Sequence, residues 1–209
     1  MKALKFAAAT VAATLMASAA SAATLSLIGG GYSTATLSNY DLTPDLDGET
    51  ISYLTGDVKN STNGLAISGP ATVTYTFLGS EADNVNYAVS VAGSWLLTEA
   101  SDIGSSVMHT MTTGGLLNFM FGTDAPEQFV SQIRNHGMAL PNSNDFAIGY
   151  YQDGGSWYAL FDDLRSGDRD FDDFVLKTDV APVPLPAAGL LLLGGLGALG
   201  AFARRRKAA

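Results

Sequence analysis

The sequence predicts an all-β fold, an antiparallel sandwich or jelly-roll-like domain with one short helix, set between an N-terminal signal peptide and a C-terminal transmembrane helix. Three observations carry this. Polar and apolar residues alternate in Thr72 to Leu78 and in Tyr87 to Ala92, the period of half-buried strands. Glycine-rich turns separate short apolar runs. An uncharged apolar stretch stands at each end of the chain with basic residues beside it.

In chain order, residues 1–22 carry Lys2 and Lys5, then an Ala-rich apolar core, then Ala20-Ser21-Ala22 with small residues where signal peptidase reads, so cleavage is expected after Ala22. The body follows as residues 23–180, a length suited to one domain. Within it, Gly29 to Thr50 and Lys59 to Gly69 read as long loops, and Leu116 to Phe121 as a further apolar strand. Asp124 and Glu127 make a capping pair for a helix whose Phe129 and Ile133 share a face and which Asn135-His136-Gly137 stops. Phe146 to Tyr151 and Trp157 to Phe161 flank Gln152-Asp153-Gly154-Gly155-Ser156, the clearest hairpin signal in the chain. Phe174 to Lys177 supplies a closing strand. Residues 181–186 read as a Pro-rich linker, and no repeat of fixed period is present.

Residues 187–203 carry no charge, and as a helix they would reach about 25 Å, just enough to cross a hydrocarbon core of about 30 Å. Residues 204–209 begin with Arg204, Arg205, Arg206 and Lys207, which resist translocation and place this end in the cytoplasm with the body outside. Gly194, Gly195, Gly197 and Gly200 weaken the span as a permanent stiff anchor. Val183, Pro184, Leu185, Pro186 and Ala187, the Leu/Gly run and the basic end together resemble the VPLPA-CTERM sorting signal, a variant of the PEP-CTERM tails of exported proteins in Gram-negative bacteria. That resemblance covers the end of the chain and implies an exosortase-type membrane transpeptidase as partner, cutting near the Pro motif and passing the body to the envelope or matrix. The prolines suit this role, since they hold the segment extended and cannot continue the helix. Two alternatives stay open: a sortase tail, with Leu185-Pro186-Ala187-Ala188-Gly189 in place of LPxTG, and a type I anchor that is never cut.

All 20 acidic residues fall within the body against Lys59, Arg134, Arg165, Arg169 and Lys177, a net charge of −15. This argues against nucleic acid and anionic lipid as partners and for cations or neutral sugars. There is no cysteine, so an exported body must rest on its core alone.

Six aspartates stand between Asp162 and Asp173, with only Arg165 and Arg169 among them. Carboxylates this close repel, and a hard divalent cation with oxygen ligands relieves them. Calcium is the expected ion. Asp163, Asp168, Asp170 and Asp172 are the expected ligands, with Asp162 and Asp173 behind them or facing outward. Asp168, Asp170, Asp172 and Asp179 repeat EF-hand spacing, but Asp173 stands where that loop needs glycine and the flanks read as strands, so an EF-hand is not expected. The other reading is a set of solvated turn residues, some capping backbone N–H groups and some paired with the arginines. Phe161-Asp162-Asp163-Leu164 followed by Gly167-Asp168-Arg169-Asp170-Phe171-Asp172-Asp173 resembles the C-terminal signature of a domain of unknown function on exported bacterial proteins, which implies an exported β-domain and makes calcium plausible. Asp41, Asp45, Asp47, Gly48 and Glu49 form a second acidic loop of similar composition.

Catalytic patterns are thin. His109 and His136 have no further His or Cys near them for zinc, and no G-x-S-x-G, H-E-x-x-H or P-loop occurs. Trp95, Tyr150, Tyr151, Trp157 and Tyr158 offer material for a sugar-stacking platform, although strand positions favour the core for most of them. The sequence thus predicts a non-enzymatic exported envelope or matrix protein. Its alternatives are a module for extracellular polysaccharide or a polysaccharide hydrolase, the last requiring two carboxylates across a cleft about 5 to 9 Å wide.

Overall fold

A computed structural model of the chain describes residues 22–38, 40–55, 62–81, 85–123, 132–135, 146–163 and 169–182. The strands are β1 (Leu25–Ile28), β2 (Ser33–Thr36), β3 (Thr50–Thr55), β4 (Gly64–Ile67), β5 (Ala71–Gly79), β6 (Asn86–Ser90) and β7 (Leu96–Thr98). They continue as β8 (Ser106–Met111), β9 (Gly115–Leu116), β10 (Phe119–Thr123), β11 (Gln132–Arg134), β12 (Ala147–Asp153), β13 (Ser156–Asp162) and β14 (Phe174–Pro182). A short 3-10 turn spans Pro44–Leu46. The architecture is all-β, antiparallel and sandwich-like.

One layer is a seven-stranded sheet in the order β2-β3-β12-β13-β14-β5-β8. Facing it are a three-stranded sheet, β1-β4-β9, and a four-stranded sheet, β11-β10-β6-β7. The alternation of β5 explains the packing: Val73, Tyr75 and Phe77 point into the main core while Thr72, Thr74 and Thr76 point away. From the opposite layer come Leu65, Ile67, Ala88, Leu97, Phe119, Phe121 and Ile133. Aromatic rings link the layers, with Phe121 stacked on Phe161 at 5.3 Å and Tyr75 tilted against Trp95 at 4.8 Å.

A second, smaller core lies on the outer face of the large sheet. There Ile51, Ala147, Leu160 and Val175 are covered by Leu37, Tyr40, Leu46 and Phe171, all buried. The sheet is therefore apolar on both faces near β12 and β13, which is why these strands read as apolar runs rather than clean alternations.

Several expectations need correction. The helix is overturned at its C-terminal end: Gln132–Arg134 is strand, pairing Ile133 with Phe121, while residues 124–131 and 136–137 lie outside the described residues. Helical spacing put Phe129 and Ile133 on one face, but Ile133 is buried by tertiary pairing and the Gln132 side-chain amide donates to the Tyr87 hydroxyl at 2.9 Å. The two expected loops also contain strands. Gly64–Ile67 is buried at every position and so shows no alternation, and Ser33–Thr36 consists of small residues at a sheet edge. The apolar run at Leu116 is split between β9 and β10. The closing strand continues to Pro182, pairing with Ala71 of β5, two residues into the stretch expected as linker.

A buried amide joins the three sheets. The Asn135 side chain accepts from Leu65 N–H at 3.0 Å and donates to Leu65 O at 2.7 Å and Leu117 O at 2.9 Å. The Tyr150 hydroxyl of the large sheet donates to the Asn135 carbonyl. Gly64 fits here because a Cβ would stand 2.4 Å from that carbonyl, with φ at +125° besides.

Candidate functional site

Between β13 and β14 the acidic loop is closed at its stem by its own residues. Asp163 N–H donates to Asp173 Oδ2 at 2.6 Å, so one aspartate caps the backbone of another. The Asp173 carbonyl lies 2.5 Å from the Ser80 hydroxyl and 3.3 Å from Asn86 Nδ2, and Glu81 N–H donates to Asp172 O at 3.1 Å. Glu99 braces the same junction, accepting from the Ser80 hydroxyl at 2.9 Å and from Asn86 N–H at 2.8 Å. The loop is thus tied to the turn after β5 as well as to its own strands.

Phe171 sets the upper part of the loop. It is fully buried and takes φ +64°, the only described residue other than glycine with positive φ. Its ring lies 5.3 Å from Tyr53 and fills the space over Gly149, where a Cβ would come within 3.0 Å of it. The Phe171 carbonyl accepts from the Tyr40 hydroxyl at 3.0 Å, and Tyr40 N–H donates to Asp47 Oδ1 at 3.1 Å. Tyr40 therefore bridges the two acidic loops, which lie far apart in sequence.

The electrostatics follow from this convergence. The Asp172 carboxyl is pushed up to about 7, first by burial, then by its hydrogen bond with Asp170 and by the charges of Asp170, Asp173 and Glu81. The Tyr40 hydroxyl is likewise raised, mainly by burial and then by Asp172, Asp170, Glu81 and Asp173. The Arg169 guanidinium carbon lies 5.2 Å from the centre of the Tyr53 ring.

Of the four expected ligands, Asp170 and Asp172 meet through their carboxyls, Asp163 is buried at 2% exposure by the stem, and Asp168 lies outside the described residues. Asp173 holds the stem as a backing residue would. Asp162, expected behind or outside the ligands, is buried at 1% exposure. Among the described residues no three His, Cys, Asp or Glu side chains form a group that could hold a metal ion. Sequence reading missed Tyr40 and Glu81, which join the cluster from distant segments. Only the placement of Tyr40 beside Asp41 hinted at the first.

Trp95, Trp157 and Tyr150 are core residues. Tyr151 and Tyr158 form a half-buried cross-strand pair on the outer face, ring centres 6.2 Å apart, beside the Lys177–Asp179 ion pair at 3.3 Å. His109 sits on β8 opposite Val73, and His136 is outside the described residues. The signal-peptide residues Ala20 and the sorting residues Val183 to Ala187 also lie outside them, as do Arg204 to Lys207; Ala22 is the first described residue. No helix among the described residues is long and apolar enough to cross a membrane.

Comparison with protein families, with curated proteins and with solved structures finds no match to this chain.

Proposed function

We propose that the chain is an exported, non-enzymatic protein of the cell envelope or extracellular matrix, delivered by its tail through an exosortase-type transpeptidase and placed among extracellular polysaccharide. The observation that supports this most is the ordered tail: Val183 to Ala187, an uncharged run, then Arg204 to Lys207, beginning one residue after the last strand ends at Pro182. The last strand, paired into the sheet, ends at Pro182, so in sequence the proline motif follows the folded body directly. Replacing Pro184 and Pro186 by alanine in the full chain is expected to leave full-length protein in the membrane fraction and to deplete the body from the envelope and medium. Distribution equal to that of the unaltered chain would sink the sorting reading. Mass spectrometry of a mature chain still ending at Ala209 would favour the uncut anchor.

The acidic loop enters this reading as a calcium site that stiffens the body outside the cell, with Asp170 and Asp172 as core ligands and Asp163 and Asp168 completing the set. Two carboxyls already in contact supply oxygens of the hardness calcium takes. At about 10 mM calcium and an affinity of about 0.1 mM, mass action stabilises the fold by about 2.7 kcal/mol. A rise of about 5 to 10 degrees in Tm over EGTA is then expected, and its loss in the Asp170→Asn, Asp172→Asn double variant. Identical melting in EGTA, calcium and magnesium would leave the aspartates as turn residues.

A further inference from the structure

The outer edge of the seven-stranded sheet is an uncharged, self-complementary strand. β8 closes the sheet order and pairs with β5 on one side; among the described residues no strand pairs on the other. Phe77 N–H donates to Ser105 O at 2.9 Å, continuing the register that sets Val107 opposite Tyr75 and His109 opposite Val73. By the alternation of an antiparallel ladder, the N–H and C=O groups of Ser106, Met108 and Thr110 then face the open side. The side chains of the same three residues are exposed, and Met108 is 74% accessible, while Val107 and Met111 pack on the core.

Edge strands are ordinarily guarded by charge, proline, a bulge or a covering element. Residues 103–123 contain no charged residue and no proline, within a body that carries a net charge of −15.

We propose that two copies of the chain pair through β8 about a two-fold axis, joining their large sheets into one. The charge distribution selects a second copy as occupant. Two bodies this acidic repel wherever charged faces meet, and an uncharged strip is where they can approach within the Debye length of about 8 to 10 Å. A basic partner would be drawn to the acidic loops instead. The register is self-matching too: pairing the outward groups sets Met108 against Met108 and Ser106 against Thr110, so each exposed methionine covers its copy and each serine meets a threonine. A matrix protein gains from this a way to cross-connect without a second component.

The chain has no cysteine, so single replacements report the contact directly. Met108→Cys in the full chain, exported and purified in mild detergent, is expected to form a covalent dimer under mild oxidation. Paired residues of this kind stand about 5.5 Å apart at Cα, inside the disulfide range of about 4.4 to 6.8 Å. Thr110→Cys is expected to stay monomeric, because the two copies of that residue lie about 13 Å apart along the strands. A mixture of Ser106→Cys and Thr110→Cys chains should cross-link. Val85→Cys, 57% exposed and off this edge, controls for collision. No cross-link at Met108, or equal cross-linking at Met108, Thr110 and Val85, overturns the proposal. So does sedimentation of the unaltered chain as a monomer indistinguishable from Met108→Lys, a surface change that spares the core.

Discussion

Asn135→Leu is expected to cost about 2 to 6 kcal/mol, a large share of the stability of about 5 to 15 kcal/mol of an ordinary domain. The residue is 1% exposed, and its side chain satisfies Leu65 N–H, Leu65 O and Leu117 O together. Leucine keeps the volume but leaves two buried backbone groups, Leu65 N–H and Leu117 O, without the partner that Asn135 supplies, each a loss of about 1 to 3 kcal/mol, while Leu65 O keeps its bond from Leu117 N–H at 2.9 Å. These groups belong to β4 and to the link between β9 and β10, so the three-stranded sheet loses its fastening to the four-stranded one. Tyr150→Phe removes the fastening to the large sheet and is expected to cost about 1 to 2 kcal/mol. The double variant should fall short of the sum, since both act on one joint. Denaturant unfolding of the four proteins checks this; an Asn135→Leu loss under about 1 kcal/mol, or full additivity, would show that the amide is not the joint.

This residue also shows where sequence reasoning stopped. Asn135 before His136-Gly137 reads locally as a helix stop, and only the fold reveals that its amide completes the backbone pairing of strands remote in sequence. The legible parts were those whose signal is local: alternation in β5, and the hairpin of β12 and β13, where Asp153 pairs with Ser156 around Gly154-Gly155; the strand expected at Tyr87 to Ala92 is present as β6, but it is buried at every position rather than half-buried. Gly64–Ile67 was hidden because a strand buried on both faces has no period of two to read. The candidate site divides in the same way. The crowding of Asp170, Asp172 and Asp173 is visible as composition, whereas the roles of Tyr40 and Glu81 depend on chain crossings that no short window contains.

Phe171→Ala is expected to lower stability by about 3 to 5 kcal/mol and to undo the acidic cluster while the main sandwich persists. The size follows from emptying a fully buried ring out of the small outer core. Selectivity follows from location, since the rings that link the layers belong to the other core. A finer test uses the backbone. At φ +64° a side chain costs about 1 kcal/mol that glycine does not. Phe171→Gly should therefore be as stable as Phe171→Ala or more so, reversing the usual order of the two residues. The burial of Phe171 is also what brings its neighbours together: with residue 171 turned inward at positive φ, Asp170 and Asp172 are left on the outer side, carboxyl to carboxyl. Released from that bend and that half-burial, Asp172 should titrate back toward the ordinary carboxylate range from about 7. The native contact favours the protonated acid, so its support of the fold is full below the ordinary carboxylate value of 3.8 and is lost as pH rises from there through about 7; the variant should lose this dependence. Carboxyl titration by NMR alongside thermal unfolding reads both effects. An Asp172 that still titrates near 7 in Phe171→Ala would mean that the stem formed by Asp163, Asp173 and Ser80 holds the acids by itself, and that the buried phenylalanine only fills space.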